Sequence, residues 1–352
     1  MSALIRTEPG SLVLRASAGV SGRVHTRTIL GCAVMLLLTG AVTVLALMLG
    51  SVRYSPAEVL QALFSDAPGT AELFVVQWRL PRAVAAVVFG AALGAAGAIF
   101  QSLTRNPLGS PDIIGFTAGA SAGGVAVVAL VGSGYAVVAG GALLGGFVVA
   151  VLVMLLSRGG GAGGFRLIIV GLGLSAMLAS LESWFILTAD LDIAQVAAVW
   201  GVGSLNGIGF EHSGPALVLS LLALAGSGLL GRRLGLLDLG DDLSAGLGVP
   251  PSGTRVAGVA AGVVLVALVT AATGPIAFVA LAAPHVGRWI ARSAGASLGP
   301  AALAGALILA SADLLAQHAV PGHSLPVGVV TVAVGGLYLI TLLIRENRKG
   351  TL

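Results

Sequence analysis

Charged side chains are scarce in this chain: Asp, Glu, Lys and Arg together make up only 9% of the 352 residues, whereas 57% are hydrophobic. The mean hydropathy of +1.04 lies far outside the range of soluble domains. Aromatic residues are also few, at 5%, while glycine occurs 53 times. A membrane β-barrel carries girdles of aromatic residues, but small side chains suit membrane helices that pack closely. These shortages exclude a soluble domain and predict an all-α integral membrane protein.

Residue types that carry chemistry are nearly missing as well. Cys32 is the only cysteine and Lys349 the only lysine, so neither a disulfide framework nor a cysteine-based metal site can form within one chain. The sequence contains no G-x-x-x-x-G-K-[ST] phosphate loop, so any ATP hydrolysis has to come from another chain. It also lacks an H-E-x-x-H motif and a nucleophile–base pair. We therefore expect no catalytic residues, no cofactor and no metal site.

Apolar runs of the length that crosses a bilayer, about 20 residues, occur ten times. They lie near 29–50, 82–103, 113–131, 135–157, 166–188, 214–231, 256–273, 275–291, 300–318 and 327–344. The seventh and eighth runs are separated by little more than 273–275 and could instead be one broken element. Residues 1–28 are polar and aperiodic and predict a flexible N-terminal tail. The membrane domain then covers 29–345, and 346–352 form a C-terminal tail.

The positions of the charges predict which side of the membrane each loop occupies. With ten spans, one set of loops holds only three of the 18 basic residues, namely Arg53, Arg79 and Arg82. The other set, together with both termini, holds all the rest and is therefore cytoplasmic. Basic residues scattered singly between apolar runs are typical of cytoplasmic loops and not of a nucleic-acid-binding surface. We expect no nucleic acid as a partner.

Ordered motifs extend over most of the chain. They are "RLPR" followed by "FQ" and "RNPLGSPDIIG" in 79–115, "WGVGSL" in 200–205, "DDLSAGLGV" in 241–249, "GPIAFVALAAPHVGR" in 274–288 and "LPVG" with "GGLYLITLL" in 325–343. Together they resemble the FecCD-type permease family, the membrane subunits of bacterial ABC importers for ferric siderophores, haem and cobalamin. The resemblance implies a type II ABC importer permease-like bundle of ten transmembrane helices in the bacterial plasma membrane.

The resemblance also implies partners. Two permease subunits, as a homo- or heterodimer, form the pathway, two ABC ATPase subunits dock from the cytoplasm, and an extracytoplasmic solute-binding protein delivers the substrate. Ferric siderophores are the commonest cargo of the family, with haem or cobalamin as alternatives. An ion-coupled secondary transporter is a less favoured class, because it requires ionisable residues near the bilayer midplane. The only candidates here, Glu182 and Asp313, both fall towards the outer side.

The longest cytoplasmic connection, about 232–255, is similar to the coupling helices that sit in a groove of the ATPase. We expect a short helix beginning at Asp241 or Asp242, with Ala245 and Gly246 allowing close approach. The alternative is a solvated connector with an N-cap. The residues assigned to ATPase coupling are Asp241, Asp242, Ala245, Gly246 and Gly248.

Arg79 and Arg82 stand on the side of the membrane where short loops avoid arginine. They lie three positions apart and are expected to share one helical face. In the family, arginines at the matching positions face the solute-binding protein, so the resemblance implies that these two dock it. A purely structural role is the alternative.

Two carboxylates, Glu182 and Asp313, lie well within predicted spans, where ionisable groups usually face the bundle interior or a watery cavity. The resemblance favours Asp313 as an interhelical hydrogen-bonding partner. The candidate pathway-lining residues are Ser175, Ser180, Glu182 and Ser183, although Glu182 could equally face water near the outer interface. The chain departs from the family pattern at Gln317, where relatives commonly have Arg, and at Ser324, where an acidic residue is frequent. No role is assigned to His318 and His323.

Overall fold

The computed structural model describes residues 4–8, 11–15, 21–64, 69–132, 134–157, 163–293, 295 and 297–348. This part of the chain is almost entirely helical. The helices are α1 (Thr26–Met48), α2 (Pro56–Phe64), α3 (Leu80–Thr104), α4 (Phe116–Leu130), α5 (Tyr135–Leu156), α6 (Gly163–Thr188), α7 (Leu191–Gly201), α8 (Phe210–Gly228), α9 (Gly231–Leu237), α10 (Asp241–Gly246), α11 (Pro251–Thr273), α12 (Val279–Ala291), α13 (Leu298–His318) and α14 (Val327–Arg348). A π-helical segment, Glu72–Arg79, leads directly into α3.

The segment predicted as a flexible tail, residues 1–28, contains three short strands. Three short strands, β1 (Leu4–Glu8), β2 (Ser11–Arg15) and β3 (Ser21–His25), form an antiparallel sheet in that order. β1 and β2 are separated in the sequence by Pro-Gly, a turn signal, and each contains aliphatic residues that favour strands. These signals are short and lie in a polar segment, so hydropathy alone predicted a tail.

Each of the ten predicted spans coincides with a helix, namely α1, α3, α4, α5, α6, α8, α11, α12, α13 and α14. By length and composition, six helices of the described chain can cross a membrane, and the α8–α9 pair, bent by 50°, would be a seventh. α4 and the apolar part of α14 are shorter. The helical-bundle architecture is confirmed, and the count of ten spans remains a prediction.

The seventh and eighth apolar runs are separate helices. α11 ends at Thr273, and the connection to α12 contains two residues with left-handed φ angles, Gly274 at 72° and Phe278 at 69°. The Asp112 carboxylate accepts hydrogen bonds from the backbone N–H of Phe278, at 3.1 Å, and from the Thr117 hydroxyl, at 2.7 Å. The loop before α4 therefore holds the break between α11 and α12 in place.

α3 lies at the centre of the bundle and packs against α8, α11, α12 and α13. Its glycines allow the close approach. A Cβ on Gly90 would lie 2.4 Å from the carbonyl oxygen of Gly305 in α13, and a Cβ on Gly97 would lie 1.7 Å from that of Ala280 in α12. Such backbone contacts are typical of membrane helices that associate through small residues.

α6 contrasts with α3, because only 6% of its most apolar window is buried. Leu172, Met177 and Trp184 are all more than half exposed. α6 therefore presents a long apolar surface to the outside of this single subunit.

Candidate functional sites

Arg79 ends the π-helical segment, and its guanidinium binds the loop that follows α1. Its two terminal nitrogens donate hydrogen bonds to the carbonyl oxygens of Leu47, at 2.8 Å, and Val52, at 2.6 Å. The guanidinium carbon also lies 5.3 Å from the centre of the Tyr54 ring, within the range of a cation–π contact. A Cβ on Gly50 would lie 2.4 Å from the same guanidinium. Arg79 thus ties the start of α3 to the end of α1.

Arg82, in the first turn of α3, forms a two-pronged ion pair with Asp313 of α13. Nε lies 2.9 and 3.1 Å from the two carboxylate oxygens, and Nη2 lies 2.8 Å from Oδ1. The Gln317 side-chain amide donates a further hydrogen bond to Oδ2 at 2.8 Å. The side chains of Arg82 and Asp313 are only 15% and 3% exposed. The expectation that Asp313 is an interhelical hydrogen-bonding partner is confirmed.

Both arginines border one cavity of about 420 Å³, which Trp78, Ile208 and Gln317 also line. The guanidinium groups bind different partners, Arg79 at the end of α1 and Arg82 in α13, although both side chains reach this cavity. Each guanidinium already has partners within the chain, which supports the structural role that was the alternative to docking. Docking by Arg79 and Arg82 stays a prediction.

The predicted short helix in the cytoplasmic connection is confirmed, because α10 begins at Asp241 and ends at Gly246. Ala245 and Gly246 are exposed, and no atom lies within 4 Å of a Cβ built on Gly246. Gly248 has a φ of 80°, a left-handed conformation that glycine adopts without strain. Leu243 and Leu247, which are 61% and 60% exposed, add an apolar surface to α10.

Asp241 has different surroundings from its neighbour Asp242. Arg255 Nη2 donates to its Oδ1 at 2.7 Å, and Arg105 Nη2 binds the same oxygen. These contacts, with the hydrogen bond from Arg255 foremost, lower the pKa of the Asp241 carboxyl below its usual value. Asp242 is exposed. The two acidic residues assigned together to coupling therefore have different surroundings, one paired within the chain and one exposed.

Polar contacts join the end of α3 and the loop after it to α9 and α12. The Ser102 hydroxyl donates to the Asp238 carboxylate at 2.6 Å, just after α9. Arg288 of α12 donates to the Gln101 side-chain oxygen at 3.1 Å. The His285 ring lies 2.8 Å, through Nε2, from the carbonyl oxygen of Pro107. Each contact joins residues more than 100 positions apart, which sequence reasoning had no means to connect.

The candidate pathway residues divide between two faces of α6. Glu182 turns towards α4, where it accepts a hydrogen bond from the Ser121 hydroxyl at 2.9 Å. Ser175 is half-buried beside the start of α4. Ser180 and Ser183 are exposed, and their hydroxyls bind carbonyl oxygens one turn back in α6. The four residues do not form one lining, and only Ser180 and Ser183 share the exposed face.

A cavity of about 720 Å³ was not foreseen from the sequence. It lies between the starts of α5 and α8, the helix α7 and the end of α11, and Trp200, Asn206, His212 and Ser324 are among its lining residues. The Ser324 hydroxyl donates to the Asn206 side-chain oxygen at 2.9 Å. The Gly-rich stretch 199–209 supplies several of the lining residues. Its polar, patterned sequence was the signal that this connection has more than a linking role.

Within the described ranges, no three His, Cys, Asp or Glu side chains lie close enough together to hold a metal ion. His318 contacts the Leu314 carbonyl oxygen through Nδ1 at 2.9 Å. Val320 and His323 form an isolated β-bridge.

Residues 36–345 match the sequence model of the FecCD transport family. The chain is 44% identical over 300 residues to the ferric enterobactin transport system permease protein FepG of Escherichia coli K12, covering 85% of this chain and 91% of the relative. It is 36% identical over 338 residues to FepD, another permease protein of the same system, covering 94% and 100%. A solved structure described as the inward-facing conformation of a transporter assigned to the metal-chelate type of ABC transporters matches with a TM-score of 0.78 and 26% identity, covering 89% of this chain and 98% of the other.

Proposed function

The chain belongs to the FecCD transport family, and on that premise we propose that it is the membrane permease subunit of an ATP-driven importer for a ferric siderophore. Members of the family are transport subunits of ABC importers, so the chain is a multi-pass membrane permease and not an enzyme. ABC importer permeases work with ATPase subunits and a substrate-binding protein. The proposal concerns the cargo, the partners and the residues that meet them.

The observation that carries the choice of cargo is the 44% identity to FepG over most of both chains, since that relative is named for ferric enterobactin. FepD, at 36% identity, carries the same printed cargo. A ferric siderophore already saturates its iron, so the permease needs no metal ligands of its own. The exposed hydroxyls of Ser180 and Ser183 on α6 suit a polar chelate better than a bare ion.

The cytoplasmic partner is an ABC ATPase, two copies of which dock on the assembled transporter. The surface that supports this is the exposed face of α10, where Leu243 and Leu247 offer apolar area and Ala245 and Gly246 leave room for a close neighbour. Small and apolar residues at the centre of an interface allow the packing density of a protein interior. The cytoplasm then lies on the α10 side, together with both termini.

A second permease subunit covers α6. α6 is the least buried of the six candidate spans, with 6% of its most apolar window buried, and the pathway lies between the two copies. The ferric enterobactin system contributes two different permease proteins, FepG and FepD, to the relatives of this chain. This favours a heterodimer over a homodimer.

The solute-binding protein docks on the opposite side, over the cavity bordered by Trp78, Arg79 and Arg82. Trp78 is 56% exposed, and Arg79 has backbone carbonyls as hydrogen-bonding partners, so its positive charge is available to an acidic residue of the partner. Replacing Arg79→Gln keeps a hydrogen-bond donor and removes the charge. We expect weaker binding of the solute-binding protein in this variant, with slower association.

The ATPase assignment is tested by replacing Ala245→Trp on the exposed face of α10. A bulky side chain there keeps the ATPase from seating, so uptake and ATPase stimulation are lost while the membrane domain stays folded. The matched control is Leu229→Trp just after α8, which is 82% exposed and lies outside α10. Normal uptake with normal co-purification of the ATPase in Ala245→Trp would remove the assignment.

The cargo is tested in a deletion strain with no redundant importer. The strain should fail to grow and to accumulate labelled iron when the ferric siderophore is the only iron source, and the intact gene should restore both. Normal growth under iron chelation, together with failure to use haem or cobalamin, would overturn the ferric siderophore as cargo.

A further inference from the structure

The carboxylate of Asp241 lies where three structural elements meet. Asp241 is the first residue of α10, Arg105 directly follows the last residue of α3, and Arg255 lies in the first turns of α11. Both arginines donate to the same oxygen of Asp241. Arg105 also donates to the carbonyl oxygen of Leu237, at 2.9 Å, so it binds the end of α9 as well.

Ordinary helix capping does not account for this acidic residue. The N-cap position of α10 is Gly240, with a φ of 114°, and no side chain caps the helix. The Asp241 carboxylate instead faces the two arginines, which come from elements 136 and 14 positions away in the chain. Its contacts therefore join elements to one another and do not complete its own helix.

The helices joined in this way are those best placed to carry a displacement into the membrane. α3 is the central helix of the bundle, with 78% of its most apolar window buried, and α11 packs directly against it with 67% buried. A rigid helix transmits movement of one end along its whole length, whereas an exposed loop does not. Movement of α10 can thus pass to two buried helices through one carboxylate.

We propose that Asp241 is a positioning residue for coupling: it fixes α10 to the ends of α3 and α11 through Arg105 and Arg255, and it does not contact the ATPase itself. The proposal rests on the proposed function as an ATP-driven importer. It separates Asp241 from Asp242, Ala245 and Gly246, whose exposed positions suit contact with a partner.

The exposure of the three side chains predicts where the effect appears. They are 41%, 44% and 38% exposed for Arg105, Asp241 and Arg255, so water and salt screen the ion pairs in the isolated subunit. Their loss should change the folding stability little. A docked ATPase covers the neighbouring exposed residues of α10 and lowers the access of water to these contacts, which strengthens them. The loss should therefore appear as less substrate transported per ATP hydrolysed.

The experiment is a double-mutant cycle in proteoliposomes that contain the permease with its ATPase and binding protein. The variants are Asp241→Asn, the pair Arg105→Gln with Arg255→Gln, and all three changes together. The measured quantity is the number of ferric siderophore molecules transported per ATP hydrolysed. Asp242→Asn, alone and with the arginine pair, is the comparison, since it removes the same charge from the same helical turn.

We expect Asp241→Asn to lower transport per ATP by at least about fivefold, since hydrogen bonds between charged groups are stronger than neutral ones, while the ATPase still co-purifies. The arginine pair should give the same loss, and adding Asp241→Asn to it should give no further loss. Asp242→Asn should lower transport per ATP by the same factor, if it lowers it at all, in the unaltered protein and in the variant that carries both arginine changes.

Three results would overturn the proposal: an unchanged ratio in Asp241→Asn, the same loss from Asp241→Asn in both arginine backgrounds, or release of the ATPase by Asp241→Asn alone. The arginine pair provides an independent test if Asp241→Asn does not fold, because it must reproduce the uncoupling by itself. The unaltered protein in the same proteoliposomes tests the proposed function separately. Absence of ATP-driven uptake there would refute that function and would not bear on the role of Asp241.

Discussion

The ion pair between Arg82 and Asp313 allows a stability prediction that distinguishes a structural arginine from a surface one. The carboxylate of Asp313 is only 3% exposed and the side chain of Arg82 15%, so each group depends on the other for its charge to be compensated. The perturbation is to replace each by an apolar residue of similar size, Arg82→Met and Asp313→Leu, singly and together.

The magnitude follows from what each change leaves behind. Removing one member of a buried ion pair costs about 3–5 kcal/mol, because it leaves an uncompensated charge. Arg82→Met leaves the nearly inaccessible carboxylate of Asp313 with Gln317 as its donor, so its cost should lie near the upper end, about 5 kcal/mol. Asp313→Leu leaves a guanidinium that still reaches some water, so this substitution should cost about 3 kcal/mol. The double variant should cost no more than the milder single change.

The assay is unfolding of the purified subunit in detergent, followed by helical content against denaturant. Arg53→Met is the control, since Arg53 is an exposed arginine in the loop after α1, and its effect should stay within about 0.5 kcal/mol. Additive losses in the double variant, or an Arg82→Met variant as stable as the Arg53→Met control, would refute the reasoning. Charge reversal at Arg82 would place a carboxylate beside Asp313, so that change tests folding and not docking.

Further predictions concern glycines and one carboxylate. Gly305→Leu should prevent folding, since even a Cβ there lies 2.1 Å from a backbone carbonyl of α3, whereas Gly299→Ala in the same helix meets no atom within 4 Å and should be neutral in a folded-yield assay. Gly335→Ala should destabilise by about 1–3 kcal/mol through overpacking against a phenyl ring 2.3 Å away, and its neighbour Gly336→Ala should not, as measured by thermal unfolding. The lowered pKa of Asp241 stabilises the folded state above the ordinary Asp pKa of about 3.9, and this contribution is lost as the pH falls through the folded-state value. The small stability difference between the unaltered protein and Asp241→Asn should therefore persist from neutral pH to about pH 4 and vanish only below it; disappearance at higher pH would contradict the assignment.

Hydropathy and charge were sufficient to predict the helical bundle but not the short helices and strands. The ten apolar runs coincide with helices because burial in lipid requires long continuous apolar stretches, which hydropathy detects directly. α2 has a capping box, in which the Glu58 carboxylate accepts from the Ser55 backbone N–H at 2.7 Å. That pattern is a local signal for a helix start, but α2, with nine residues, is too short to stand out by hydropathy. The N-terminal strands were missed for the same reason.

The candidate sites divide in a similar way. The start of α10 was predictable, since two acidic residues after a glycine are a local signal at a helix start. The partner of Arg82 was not identified, because Asp313 lies 231 positions away and only the packing of α3 against α13 brings the two together. The division of Glu182 from Ser180 and Ser183 likewise depends on which face of α6 meets α4. The sequence was sufficient to select these candidate residues, but the residues that they contact depend on how the helices pack.

ATP-driven uptake in a reconstituted system tests the central claim most directly. The subunit is placed in proteoliposomes with its ATPase, a second permease and the solute-binding protein loaded with a radio-iron-labelled ferric siderophore. The account predicts that labelled iron crosses the membrane only when ATP is present on the side where α10 and the ATPase lie, and that an ion gradient without ATP drives no uptake. Uptake driven by an ion gradient alone, or ATP-driven uptake of haem or cobalamin without uptake of any ferric siderophore, would contradict it.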